Sequence, residues 1–449
     1  MPEITLAQVL QAREDRVRKQ QELLQLYHCP IISFTMNIAG PVKNSPLIER
    51  AFHAGLNALD TRLPKEAIRF CNTEASVTGC QAMYAVDLDA LSIKKICTGI
   101  EDSSPLGRLF DMDVIDRNGI KTDRSTVNGE PRNCLVCGAP GRACAARRLH
   151  TVSQLQEATH RIIRQHFALA DQQYAGDLAV QSLIQEVYAT PKPGLVDRRN
   201  NGSHKDMDLS TFLASAHSLQ SYFSECVRIG QETSADSIEN TFFHLREAGI
   251  RAEKTMYHTT GGVNTHKGAI YTMGLLCGSL GRLWTPEQPK PKTEALLSEC
   301  SRMAKISCMP DSASESGIAK NYLTKDRLSV YPGARGEAAA GLPSVYNISL
   351  PAYKKALQTG LSSNDAGVIA LLHLIAHVED TNLHHRGGEE GASFAAAAAN
   401  ALLKISPFPS MEQVAKLDDA FIARNLSPGG CADLLAVTYF LWALQNPYE

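Results

Sequence analysis

No stretch of this 449-residue chain is long and apolar enough to cross a bilayer, which excludes a helical membrane anchor. The opening residues, MPEITLAQVLQAREDRVRKQQELLQLY, lack the apolar core and small-residue cleavage site of a secretory signal, and instead mix charges of both signs on a helical pattern. A surplus of one charge is missing too. Lys and Arg number 45 against 47 Asp and Glu, a net charge of -2. That excludes a general polyanion binder but leaves room for a local phosphate site. A basic stripe interleaved with aromatics, the mark of an RNA reader, is also absent, so no nucleic-acid partner is expected. There is no internal repeat, low-complexity tract, charge block or Gly/Ser linker. With no export signal, the twelve cysteines read as reduced thiols of a cytoplasmic protein, and seven of them precede residue 150.

What is present exceeds one core, so two domains are expected. Up to about residue 150, helical runs near 5–27 and 46–60 alternate with strand-like runs such as IISFTMNI and GRLFDMDVI. Beyond it, apolar residues recur every three to four positions. The expectation is an α+β domain over 1–170 and a mostly helical one over 171–449, joined through a helical-looking stretch at 150–176.

Polar islands punctuate the helical part: TPKPGLVDRRNNGSHKDM (190–207), GGVNTHKG (261–268), YPGARGEAAAG (331–341), EDTNLHHRGG (379–388) and LSPGGCADLL (426–435). Each combines Gly or Pro with charged or amide side chains at the mouth of a helix. Free N–H groups and a partial positive charge at several converging mouths make an anion pocket. The second island nearly spells a P-loop, with Gly261 followed by Lys267 at the required distance. His266 stands in the second glycine's place, however, and Gly268 in that of the Mg²⁺-binding Ser or Thr. The island reads as a glycine turn into a buried helix with Lys267 at its mouth. A plain glycine-rich helix start gives the same string.

In GRLFDMDVIDRNGIKTDR the period is two. Leu109, Asp111, Asp113 and Ile115 share one strand face; Phe110, Met112 and Val114 share the other. Asn118-Gly119 predicts a two-residue hairpin turn, with Lys121, Asp123 and Arg124 returning alongside. Two ionised carboxylates roughly 7 Å apart repel by about 2–3 kcal/mol at an effective dielectric near 20. Mg²⁺ removes that cost and suits attack at phosphorus. A solvated strand face gives the same pattern. In VDLDALSIKK, Asp89 reads as a helix cap instead. Downstream, Cys134, Cys137, Cys144 and His150 follow C-x2-C-x6-C-x5-H, soft ligands suited to structural Zn²⁺; small buried cysteines are the alternative. His373 and His377 lie one turn apart without an HExxH glutamate and read as core.

These strings resemble two known families over nearly the whole chain. AREDRVRKQQELL, ISFTMNIAGPVKNSPLIERAF, GIEDSSPLGRLFDMDVID and RNCLVCGAPGRACAARRLH resemble the citrate lyase holo-acyl-carrier-protein synthases. EVYATPKPGLVDRRNNGSHKDM, GGVNTHKGAIYTMGLLC, ARGEAAAG, EDTN with its RGG, and SPGGCADLLA resemble the triphosphoribosyl-dephospho-coenzyme A synthases. The resemblance implies a fusion of two transferases. The helical part would use the 2′-hydroxyl of 3′-dephospho-coenzyme A to displace adenine from ATP. The first part, a nucleotidyltransferase-like fold with its DxD pair on a hairpin, would then move phosphoribosyl-dephospho-coenzyme A onto a serine of the acyl carrier (gamma) subunit of citrate lyase, releasing diphosphate.

Roles follow as implications of that resemblance. Asp111 and Asp113 would bind Mg²⁺; Arg124 or Arg108 would steady diphosphate; Lys43 would meet a phosphate. Lys192, Lys267 and Arg335 would hold the triphosphate, in islands that also present Asn264, Asn382 and Arg386. Glu186, Asp197, Asp206, Glu337 and Asp380 are candidates to stabilise the positively charged sugar or to hold Mg²⁺. His204 or His266 would protonate the leaving base. Two rivals stay open: a zinc-containing nucleotide-binding regulatory module, and a nucleotidyltransferase acting on another protein.

Overall fold

In the computed structural model the described residues are 4–308 and 333–446. The start of the third polar island, Tyr331 and Pro332, lies outside them. The chain divides into two compact units: one formed by the residues up to Leu169 with Pro286–Gln288, the other by the remainder from Ala170.

The first unit is built on an antiparallel sheet of order β2-β3-β1-β4-β5, comprising β1 (Ile31–Met36), β2 (Ile68–Ser76), β3 (Gly79–Val86), β4 (Phe110–Ile115) and β5 (Lys121–Thr122). The alternation seen in the sequence sets its two faces. Phe110, Met112 and Val114 join Ile32 and Phe34 in the main core, under α2 (Pro46–Arg62) and α3 (Ala90–Asp102). Phe34 stacks on Phe52 at 4.8 Å, and Phe110 meets it edge-on at 5.4 Å. A Cβ on Gly55 would fall 2.4 Å from the Phe34 ring, so only glycine admits that stack. Ser45 caps α2, with Pro46 in its first turn, and Asp89 caps α3 through Ser92 N at 2.9 Å.

The opposite face carries Ile31, Met83, Ala85 and Ile115, covered by Leu23 of α1 (Leu6–Tyr27). A reciprocal Thr5–Gln8 capping box starts α1. Leu23 is its one fully buried residue, and the rest of its length is half-buried or exposed.

The hairpin differs from the two-residue expectation. Asp116 N donates to Ile120 O at 2.9 Å and Gly119 N to Asp116 O at 3.0 Å, closing a loop over Arg117, Asn118 and Gly119. Gly119 takes the left-handed conformation (φ 79), while Asp116 Oδ1 accepts from Asn118 N and Ile120 N. The Asx turn at Asp116 lengthens the loop by one residue. The return strand ends at Thr122: Asp123 and Arg124 turn away into a 3-10 segment, and only Lys121 comes back beside Asp113, at 2.7 Å.

The described part of the second unit is helical. Its elements begin in α5 (Val152–Tyr188) and continue through α6 (Leu209–Ser218), α7 (Gln220–Glu232), α8 (Ile238–Thr259), α9 (Lys267–Leu283) and α10 (Thr293–Ser307). They end in the helices Gly333–Ala339, Leu350–Gln358, Ser363–His377, Thr381–Ile405, Met411–Ala423 and Gly429–Gln445. Twelve of the seventeen α9 residues are buried, so its core contacts lie all around it. Glycines allow this packing: a Cβ on Gly281 would lie 2.1 Å from Val227 O, and one on Gly230 2.1 Å from Gly278 O. Among the described residues no helix is long and apolar enough to cross a membrane. His373 is half-buried, but His377 is exposed at its helix end rather than in the core, with Nδ1 2.8 Å from His373 O.

Candidate active sites

The pleat and register assemble the first site. Thr35 pairs with Gln81 on one side and Asp111 on the other; Ser33 pairs with Met83 and Asp113. Gln81, Thr35 and Asp111 therefore form one row across the sheet, with Asp113 in the next, on the face covered further along by α1. Arg16 of α1 reaches this row, its Nε donating to Gln81 Oε1 at 3.2 Å. Burial and the adjacent Arg13 push the Arg16 guanidinium down, and the same two causes lower Lys43, whose ammonium donates to Ile38 O. Arg16 thus places positive charge beside Asp111 and Asp113, with Arg13 close to both Arg16 and Lys43. The Asp111 carboxyl is raised, by burial first and by Asp113 next. A divalent cation relieves both causes, so the donor set fits Mg²⁺.

Three residues that sequence reasoning passed over organise this pair. On the outer side of β4, Met112 N–H donates to Glu101 Oε1 at 2.9 Å, and the buried Lys94 ammonium donates to Met112 O at 3.0 Å. Met112 lies between the aspartates, so α3 pins the strand where they project. Arg132 approaches Glu101 Oε1 at 2.5 Å and Asp111 Oδ1 at 3.8 Å. Their signal was faint: Lys94 and Glu101 lie two helical turns apart on the side of α3 that carries its core residues. Arg124 is engaged elsewhere, Nη2 donating to both Asp102 oxygens at 2.7 Å, although it also lies 3.6 Å from Glu101. Arg108 donates to Asn133 O. The four ligand atoms of Cys134, Cys137, Cys144 and His150 all lie within 4.8 Å of one another.

The second site gathers around α9. Gly261 and Gly262 have φ of 66 and 96, and no strand precedes the helix. His266 is buried; its Nδ1 lies 2.8 Å from Ser215 Oγ, and its Nε2 has no partner. Burial, aided by Lys192, lowers the imidazole to about 3. Lys192 is itself buried against Glu186 in an ion pair, and burial raises the Glu186 carboxyl. Asp433, the one charged residue of the helix Gly429–Gln445, joins them. Its carboxyl is pushed well up by burial, then by Glu186 and Asp380. A Cβ on Gly268 would lie 2.0 Å from Asp433 Oδ2, so the glycine in the P-loop's Ser/Thr place makes room for this carboxyl. In the sequence, the signal for Asp433 is that it is a lone acid in an apolar helix, near the end of the fifth polar island.

Other expected ligands shape the backbone. Asp197 accepts from the amides of Lys192, Arg199 and Asn200 at 2.6–3.1 Å. Asp380 Oδ1 caps its helix through Asn382 N and Leu383 N, and Oδ2 accepts from Cys431 N at 2.8 Å; burial still raises its carboxyl. Glu337, also raised by burial, accepts from Ser344 N at 2.8 Å. Arg386 donates to Ser203 O at 2.9 Å and lies 3.1 Å from His204 Nδ1, while His204 Nε2 lies 2.9 Å from Ser427 Oγ. Burial and Arg386 lower His204. Both imidazoles are thus shifted downward from the ordinary value, His266 far and His204 in the same direction. Asp206 is exposed, 3.9 Å from His204. Lys267 pairs with Glu253 at 3.3 Å on an exposed surface, and its amide bonds Asn264 Oδ1 at 3.3 Å. Arg335 lies over the Tyr271 ring at 5.9 Å.

Residues 172–449 match the CitG family, described as ATP:dephospho-CoA triphosphoribosyl transferase, and residues 4–166 match the CitX family, described as apo-citrate lyase phosphoribosyl-dephospho-CoA transferase. The chain is 35% identical to Protein CitXG of Haemophilus influenzae over 99% of its own length and 97% of the relative's. It is 31% identical to Protein CitXG of Leuconostoc mesenteroides, over 98% and 97%. A probable 2-(5''-triphosphoribosyl)-3'-dephosphocoenzyme-A synthase of Vibrio cholerae is 41% identical over 61% of this chain and 89% of that protein.

Proposed function

Because the chain belongs to the CitX and CitG transferase families in one polypeptide, we propose that its two sites make and attach the citrate lyase prosthetic group in sequence. What carries the reading is that the two family matches fall on different segments, each with its own polar centre.

In the helical unit, the 2′-hydroxyl oxygen of 3′-dephospho-coenzyme A bonds to the ribose C1 of ATP and the bond to adenine breaks. The hydroxyl loses its proton, and adenine gains one. Asp433 is suited to donate that proton, because a carboxyl kept neutral by burial is a competent acid near neutral pH. Glu186 and Asp380, which both act on Asp433, would favour positive charge on the sugar. Lys267 and Arg335 are the cations left to meet the triphosphate; Lys192 instead holds Glu186. Asp197 and Arg386 shape the loop over 190–206.

In the sheet unit, Asp111 and Asp113 would hold Mg²⁺, which when bound neutralises charge on the triphosphate. The carrier's serine oxygen bonds to the α-phosphorus, and the bond to the departing diphosphate breaks as the serine proton leaves. Arg16, Arg132 and Lys43 are placed to receive the anionic oxygens. The carrier is the gamma subunit, and the compartment this chemistry requires is the ATP-containing cytoplasm. Cys134, Cys137, Cys144 and His150 form a donor set suited to structural Zn²⁺.

Purified protein supplied with ATP, 3′-dephospho-coenzyme A, Mg²⁺ and unmodified carrier is expected to yield free adenine and a heavier carrier. Appearance of neither product overturns the proposal.

A further inference from the structure

We propose that Cys134, Cys137, Cys144 and His150 bind one tetrahedral Zn²⁺ whose role is to fix Arg132 against the carboxylate pair. The metal assignment stands by itself; the role of Arg132 rests on the transferase reading above.

The segment from Asp116 to His150 is tied to the rest of the unit mainly by polar contacts such as Arg124 with Asp102 and Arg132 with Glu101, and buries little apolar surface. Cys144 is its one buried residue, and its helix α4 (Gly141–Arg147) is seven residues long. A stretch this poor in buried apolar surface needs a cross-link or a metal to keep one conformation. Cys137 Sγ lies 3.4 Å from Cys144 Sγ and 3.3 Å from His150 Nε2. Zn–S bonds of about 2.3 Å set tetrahedral edges of about 3.7 Å; two separations are near that edge and none exceeds 4.8 Å, so the four atoms can converge on one ion. The backbone is a metal knuckle: Cys134 N donates to Ala139 O at 2.7 Å, Gly138 N donates to Cys134 O at 3.0 Å, and Gly138 turns through φ 73. Binding releases the three thiol protons and leaves the imidazole neutral.

The knuckle connects to the first site through its base. Gly141 N donates to Arg132 O at 3.0 Å, Asn133 bridges Pro140, and Arg108 holds Asn133 O. A Cβ on Gly141 would lie 2.7 Å from Arg132 O, so the two segments meet backbone to backbone. Arg132 leaves this junction to reach Glu101 and Asp111. The backbone bond from Gly141 ties its main chain to the knuckle that follows it. Loss of the ion would free the arginine without removing it.

The test uses the full chain purified without a histidine tag. Near one zinc per chain is expected, falling below about a tenth in Cys137→Ser. Cobalt exchanged for zinc should give thiolate charge-transfer absorption and tetrahedral ligand-field bands. For carrier labelling, Cys137→Ser and Arg132→Ala should each raise KM for the triphosphoribosyl substrate roughly tenfold with smaller loss in kcat, and Arg132→Lys should recover part of it. The double variant should be no worse than the poorer single one. Less than a tenth of an equivalent of metal in the parent, or a Cys137–Cys144 disulfide in its place, overturns the site. Additive losses overturn the role of Arg132. If the parent holds zinc yet never labels carrier, the transferase reading fails and the metal site stands.

Discussion

Glu101 holds the backbone of Met112: its Oε1 accepts that residue's N–H at 2.9 Å, at the strand position between Asp111 and Asp113. The spacing of two acidic side chains is thus fixed through a bond to the residue that separates them. Lys94 completes the grip on the carbonyl. Lys94→Met leaves that buried carbonyl unpaired, which costs about 1–3 kcal/mol. Amide exchange within β4 is expected to accelerate on the order of tenfold or more. Unchanged exchange would show that the strand needs no such support.

Asp111→Asn should reduce carrier labelling roughly 100-fold or more if the Asp111 carboxylate holds Mg²⁺ as proposed. Adenine release should continue at the parent rate. Loss of both activities would contradict independent sites.

Asp433→Asn separates chemistry from packing. Adenine release should fall roughly 100- to 10,000-fold if this carboxyl is the acid. A carboxyl raised by folding stabilises below its ordinary value, and that contribution is lost as pH rises toward the folded one. The variant's Tm should therefore match or exceed the parent's at neutral pH. A drop in Tm together with activity would assign Asp433 a structural role.

His266 sets an acid limit. Its imidazole is lowered from 6.5 to about 3, so the unfolded chain binds a proton between those values that the folded chain refuses. Stability is fully present above 6.5 and falls as pH drops through that window, at most by about 1.4 kcal/mol for each pH unit. His266→Asn should flatten the fall in Tm between neutrality and about pH 4.5. An unaltered slope would mean another group governs acid sensitivity.

Lys267→Ala removes an exposed ion pair with Glu253, so stability should change by no more than about 0.5 kcal/mol. The KM for ATP should rise roughly tenfold if the ammonium meets phosphate. An unchanged KM takes Lys267 out of the site.

The period-two run through Asp111 and Asp113 and the apolar α9 pattern were legible in the sequence, because strand alternation and helical burial repeat at short intervals. The sequence also displayed the Cys and His cluster and the glycine turn at Gly261–Gly262. Tertiary structure decided the rest. Lys94 and Glu101 of α3 meet the backbone of β4 at Met112, and Arg132 arrives from a separate segment beside Glu101 and Asp111; no local period encodes such a meeting. Gly268 looked like a defect in a phosphate loop until packing set Asp433 against it, a partner 165 residues away. Whether a charged side chain faces a ligand or ties down a loop, as Asp197 and Arg386 do, depends on which backbone groups arrive beside it. Only the folded chain fixes that.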